Sequence, residues 1–134
     1  MNGVTDLDEM IRGMSPRLLE GEFVFCSFTG AVYGDHAELN PLASIREDEG
    51  LTLVVPRELA AARGLDGSGA FRCISLQLHS SLDAVGLTAA FSARLTECGI
   101  SANLVAGFYH DHLFVQSEHA GRALEAIREL AAGR

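Results

Sequence analysis

Two stretches of the chain decide its fold: FRCISLQLH at residues 71–79 and LTAAFSARLTEC at residues 87–98. In the first, apolar residues recur at every second position from Ile74 onward, which is the period of a strand packed on at least one face. In the second, they recur at every third or fourth position, which predicts a helix, and Gly99 ends it. A strand followed by an amphipathic helix is therefore the starting unit.

The residues that follow extend this unit to a βαββα order. Ser101–Phe108 and Leu113–Gln116 are apolar enough for two strands, and the polar-aromatic residues Tyr109–His112 between them predict a tight hairpin turn. Apolar residues at helical spacing over Glu118–Ala132 predict a last helix. The order lacks one strand of the ferredoxin-like, split-βαβ plan βαββαβ. Because an unfilled sheet edge favours aggregation, we expect another part of the chain to supply the fourth strand.

The first half of the chain offers a donor for that strand. The β-rich run at Glu22–Phe28 is the candidate donor. Before it, helical spacing predicts a short helix over Asp6–Gly13, closed by Pro16. After it, the patterns predict two strands, a helix and a linker in turn, at Ala43–Arg46, Leu51–Val55, Arg57–Arg63 and Asp66–Gly69.

These patterns predict an α+β protein of two interlocked ferredoxin-like modules with exchanged strands, in which helices cover antiparallel sheets. We place a degenerate N-terminal module at residues 1–68 and a C-terminal module at residues 69–134. Each half is too small to be stable comfortably alone, so the two modules are expected to form one cooperative unit.

Composition excludes several classes of function. The 134 residues include 18 acidic and 10 basic side chains, a formal net charge of −8, which makes nucleic acid an unlikely partner. No apolar run is long enough to span a membrane, and the acidic N-terminus lacks the basic region of a secretory signal. The three cysteines, Cys26, Cys73 and Cys98, have apolar neighbours and no C-x-x-C spacing, which favours reduced, buried thiols. We expect a cytoplasmic protein.

A family resemblance rests on the segments HSSLDAVGLTAA at residues 79–90, GI at 99–100 and AGFYHDHLFV at 106–115. These segments resemble the ACT domain. With GEFVFC at residues 21–26 and EGLTLV at 49–54, the whole chain resembles a family of short bacterial proteins with tandem ACT modules. It is also similar to the regulatory ACT modules of aspartokinases and to the cytosolic arginine sensor.

The resemblance implies a regulatory protein that binds an amino acid at an interface between ACT modules. Two elements would line the site, the loop that opens the first helix of the module and the end of its second strand with the following hairpin. The residues so implied are Asp83, Val85, Gly86, Leu87, Thr88, Gly107, Phe108 and Asp111. Homodimerisation is the implied assembly, and no cofactor or catalytic residue is implied.

The chemistry of these positions suits a free amino acid. Backbone N–H groups at the start of the helix would bind a carboxylate, and Gly86 would permit its close approach. Asp83 or Asp111 would pair with the ammonium group, and Phe108 would form the wall of the site beside the apolar part of the ligand. Structural roles explain the same residues: Asp83 as a helix N-cap, Gly86 as a packing glycine and Phe108 as a core residue.

Two other functions compete with the amino-acid sensor. His110, Asp111 and His112 would hold a metal ion if their side chains converged, although an H-x-H motif has low specificity. The second alternative is a homo-oligomeric interaction module without a ligand. The sequence offers no nucleophile elbow, phosphate-binding loop or pair of acids, so an enzyme is not expected.

Overall fold

The chain forms two structural units that share one long strand. A computed structural model describes residue 9 and residues 11–77 and 86–133. The first unit, here called the split unit, comprises Met1–Leu19 and Arg72–Arg134, and the second, the continuous unit, comprises Glu20–Phe71. Strand β5, Ser68–Gln77, contributes its start to the continuous unit and its remainder to the split unit.

The continuous unit is a ferredoxin-like module in which a short 3-10 helix stands where the first α-helix is expected. In chain order its elements before β5 are β2 (Phe23–Phe28), a 3-10 helix (Ala37–Leu39), β3 (Ala43–Glu47), β4 (Gly50–Pro56) and α1 (Arg57–Ala62). The sheet order is β3-β4-β2-β5. These elements confirm the strands and the helix predicted between Glu22 and Arg63.

The split unit has the predicted βαββα order and an added strand. Its elements besides β5 are β1 (Ser15–Leu18), α2 (Leu87–Glu97), β6 (Ala102–Ala106), β7 (His110–Gln116), a 3-10 helix (Ser117–His119) and α3 (Ala120–Ala131). β5 pairs with β1, and the order continues β5-β7-β6. Of the predicted helix over Asp6–Gly13, Glu9, Ile11 and Arg12 are helical, whereas residues 6–8 lie outside the described residues.

The strand that completes the split unit is β1, not the predicted donor at Glu22–Phe28. β1 pairs antiparallel with β5 from Ser15 opposite Gln77 to Leu18 opposite Ile74. Both edges of β2 are occupied in its own unit, because it pairs with β4 on one side and with the start of β5 on the other. Pro16, predicted to close a helix, lies inside β1, where a strand with one partner tolerates a proline.

Each unit has its own apolar core. In the split unit, α2 and α3 cover the sheet face that presents Ile74, Leu76, Leu113 and Val115. In the continuous unit the core joins alternate residues of β2 and β4 to α1 and the 3-10 helix, namely Val24, Cys26, Leu39, Leu51, Leu53, Val55 and Ala60. Cys26 and Cys73 are buried and Cys98 is half-buried, and all three are free thiols.

The segment predicted as a linker, Asp66–Gly69, instead begins a strand. β5 starts at Ser68, whose backbone is paired with Phe25. Gly67 has φ +59°, and a Cβ built on it would lie 2.7 Å from the Cβ of Val24. Glycine here allows a close approach to β2 as well as a left-handed backbone, so flexibility is not its role.

Gly67→Ala is expected to destabilise the protein more than Gly64→Ala. Both glycines have a positive φ, but nothing lies within 4 Å of a Cβ at Gly64. The Gly64 variant should therefore lose about 1 kcal/mol from backbone strain alone. The Gly67 variant should lose a further 1–3 kcal/mol, on the order of an overpacked core. Urea unfolding measures both, and equal losses would contradict the close approach to Val24.

Candidate functional site

The described part of the predicted site comprises the start of α2 and the β6–β7 connection. Asp83 and Val85 lie outside the described residues. The predicted turn at Tyr109–His112 is wrong, because His110, Asp111 and His112 belong to β7. The connection is Gly107–Tyr109, and the Gly107 N–H donates to the carbonyl oxygen of His110 at 2.8 Å.

Asp111 is a buried carboxylate on the face of the sheet that the helices cover. It lies on the same face of β7 as Leu113 and Val115, which belong to the core of the split unit, and only 5% of its surface is exposed. Burial raises the pKa of its carboxyl above the ordinary value, and the positive charge of His112 opposes that rise. The desolvated carboxylate is therefore a favourable partner for a cation.

The start of α2 combines a permissive backbone with one buried and one exposed side chain. Gly86 is the N-cap residue and has φ +91°, a conformation that favours glycine. Leu87 is 2% exposed and belongs to the core, so its side chain is structural, whereas Thr88 is exposed. The helix begins at Leu87, where its apolar pattern begins, so the free N–H groups of its first turn belong to Leu87–Ala89.

Phe108 is an exposed aromatic residue of the split unit. It is 77% exposed at the β6–β7 connection, where its ring packs edge-on against Tyr109 with centroids 4.9 Å apart. The alternative that Phe108 is a core residue is therefore wrong, whereas its role as a wall of the ligand site stays a prediction. Among the residues that the structure describes, no hydrogen bond or ion pair links Gly86–Thr88 to Gly107–Asp111.

Strand geometry separates the three residues of the metal alternative. His110 and His112 lie on one face of β7, and Asp111 lies on the other. The Nδ1 atom of His112 lies 3.4 Å from the carbonyl oxygen of Val105, so this ring has a backbone partner. Within the described ranges, no group of three or more His, Cys, Asp or Glu side chains is placed to hold a metal ion.

None of the described residues predicted to bind an amino acid lines either of two cavities, although His110 of the metal alternative lines one of them. One, of about 730 Å³ in the continuous unit, is lined by three glutamates and by Arg57, which forms an ion pair of 2.8 Å with Glu22. The other, of about 280 Å³ in the split unit, is lined by β1, β5 and His110. Sequence reasoning missed the second because β1 was not recognised, although Ser15 and Arg17 have the period of one strand face.

No helix in the described part of the chain has the length and apolar composition needed to cross a membrane.

Comparison with known proteins identifies both halves of the chain. Models of the ACT domain match residues 2–72 and residues 69–129. VC0802 of Vibrio cholerae, a protein of unknown function whose structure is described as that of a possible transport protein, is 50% identical. That match covers 97% of this chain and 99% of VC0802, with a TM-score of 0.88. A search of the curated proteins found no match.

More distant structures share the fold. The ligand-free regulatory subunit of aspartate kinase from Thermus thermophilus is 12% identical over 90% of this chain and 97% of its own, with a TM-score of 0.62. Protein Atu0741 of Agrobacterium tumefaciens is 15% identical over 88% and 89%, with a TM-score of 0.64. The two model matches establish that this chain belongs to the ACT-domain family and carries two ACT domains in tandem.

Proposed function

We propose that this protein is a non-catalytic sensor that binds an amino acid at an interface of ACT modules and passes the signal to a separate partner. ACT domains are typically regulatory, ligand-binding modules. The observation that carries the proposal for this chain is the buried carboxylate of Asp111. It supplies the negative charge that the ammonium group of an amino acid requires, in a place where water competes little.

The start of α2 supports the carboxylate half of the same ligand. An α-helix has unpaired N–H groups in its first turn, and its dipole favours an anion there. Gly86 has no side chain to cover these groups, and the exposed hydroxyl of Thr88 lies in the same turn. We propose that Asp83, Val85, Gly86, Leu87 and Thr88 form this half of the site, with Leu87 contributing its backbone.

Assembly as a homodimer is part of the proposal. Phe108 and Tyr109 are exposed at 77% and 71%, and neighbouring exposed aromatic rings are typical of surfaces that another subunit covers. Such a cover would turn Phe108 into the apolar wall that the ligand needs, together with Gly107. We propose that the boundary between the two modules lies between residues 68 and 69. We also propose that the protein acts in the cytoplasm and binds neither nucleic acid nor membrane.

The proposed sensor should be stabilised by at least one amino acid, and Asp111→Asn should abolish the effect. A ligand at 100 times its dissociation constant adds about 2.7 kcal/mol to the free energy of unfolding. Asparagine keeps the shape of the side chain but loses the charge, so the stability without ligand should change by less than about 1 kcal/mol. Thermal melting against each amino acid at millimolar concentration measures both effects.

Asp48→Asn, in the exposed β3–β4 turn, is the matched control and should leave the response intact. A response that survives in Asp111→Asn would remove Asp111 from the site. The absence of any response in the wild-type protein would contradict the sensor and favour the ligand-free module.

Gly86→Val should impair both folding and binding. Valine is strained at φ +91°, which costs about 1–3 kcal/mol, and its branched side chain crowds the first turn of α2. Gly121→Val is the control, because Gly121 lies in α3 with nothing within 4 Å of its Cβ position. Melting without and with the active amino acid compares the variants. If Gly86→Val matched Gly121→Val both in stability and in its response to the amino acid, the start of α2 would not belong to the binding site.

The charge of Asp111 should appear in the pH dependence of stability. Burial raises its pKa in the folded state, so the folded protein binds this proton more tightly than the unfolded chain does. The stability of the wild type relative to Asp111→Asn should therefore rise as pH falls from about 7 to about 4. Urea unfolding at several pH values measures this difference. A difference that grows as pH rises would contradict the buried carboxylate.

A further inference from the structure

The pairing of β1 with β5 places a set of polar side chains on the sheet face opposite the helices. Arg17 is paired with Ser75 and Ser15 with Gln77, so all four alternate with the core positions Leu18, Ile74 and Leu76. Together with Pro16 and His110, they line the cavity of about 280 Å³. The cavity is thus built by three strands, β1, β5 and β7.

His110 brings an unused hydrogen-bonding atom to this cavity. Its Nδ1 is buried and has no hydrogen-bond partner among the described residues. An unpaired buried polar atom costs stability, so a ligand atom that bonds to it would be favoured. Ser75 adds a hydroxyl on a residue that is only 5% exposed. The hydrogen bond from the Gly107 N–H fixes the backbone of His110 and so the position from which its side chain extends.

The charged side chains that line the cavity favour an anionic ligand. Although the chain contains 18 acidic residues and 10 basic ones, the cavity is lined by Arg17 and His110 and by no aspartate or glutamate among the described residues. A guanidinium group matches the planar edge of a carboxylate or two oxygens of a phosphate. Hydroxyl, amide and imidazole groups provide further donors. The small volume suits a small oxyanion rather than a nucleotide.

We infer that the split unit carries a second binding site, for a small phosphate or carboxylate anion, formed by Arg17, Ser75 and His110. This site is separate from the proposed amino-acid site, because strand alternation directs Asp111 to the helix-covered face and His110 to the opposite one. It gives the same module a second chemical input and does not depend on the sensor proposal.

Titration with inorganic phosphate and with succinate, each against sodium chloride at equal ionic strength, tests the site. Calorimetry or melting should show saturable binding of at least one of them. Binding of phosphate or of succinate then shows whether the site takes a phosphate or a carboxylate. Arg17→Gln should weaken binding at least about tenfold, as loss of a charge-assisted hydrogen bond does. Arg128→Gln, which removes an exposed arginine of α3, is the matched control.

His110 is tested by a pair of variants. His110→Leu removes the donor and should weaken binding, whereas His110→Asn retains an N–H near the position of Nδ1 and should bind more tightly than the leucine variant.

Asp111→Asn should leave anion binding unchanged, so the failure of one site is distinguishable from the failure of the other. The absence of binding beyond that of chloride, or equal effects of Arg17→Gln and Arg128→Gln, would overturn the inference. Loss of the amino-acid response in Arg17→Gln would contradict two separate sites.

Discussion

The antiparallel pairing of Ser15–Leu18 with Ile74–Gln77 is the constraint on which the split unit depends. Without β1, the edge of β5 from Ile74 onward would carry unpaired backbone groups, and Leu18 would not pack against the helix-covered core. The same four residues also place Ser15 and Arg17 on the other face, beside Ser75 and Gln77. One short strand therefore completes the ACT fold and builds the polar cavity.

A buried carboxylate is the second physical constraint, and the proposed function rests on it. Packing the core of the split unit would be easier with an apolar residue at position 111, since ionised Asp111 loses its hydration there. A protein that retains such a group gains a strong partner for a cation, provided that a ligand reaches it. ACT domains are typically regulatory ligand-binding modules, and in the proposed sensor the ammonium group of an amino acid provides that cation.

The sequence predicted the elements with strong periodicity and missed those that depend on tertiary pairing. The helix at Leu87–Glu97 and the hairpin strands Ala43–Glu47 and Gly50–Pro56 follow from local patterns. β1 was missed because its four residues include a proline, and only the partner strand makes them a strand. The β6–β7 turn was misplaced because Tyr109–His112 is polar, whereas burial of Asp111 in β7 is a property of the fold. For the same reason, nothing in the local sequence indicated that Arg17 and His110 line one cavity.

The most direct test of the central claim is an NMR titration of the uniformly labelled protein with each amino acid. The account predicts that at least one amino acid produces saturable shifts in the amide signals of Gly86, Gly107 and Asp111, and that Asp111→Asn removes them. Signals of Arg17 and Ser75, on the opposite face, should change little in the same titration. No saturable shift with any amino acid, or shifts confined to residues away from Asp111 and the start of α2, would contradict the account.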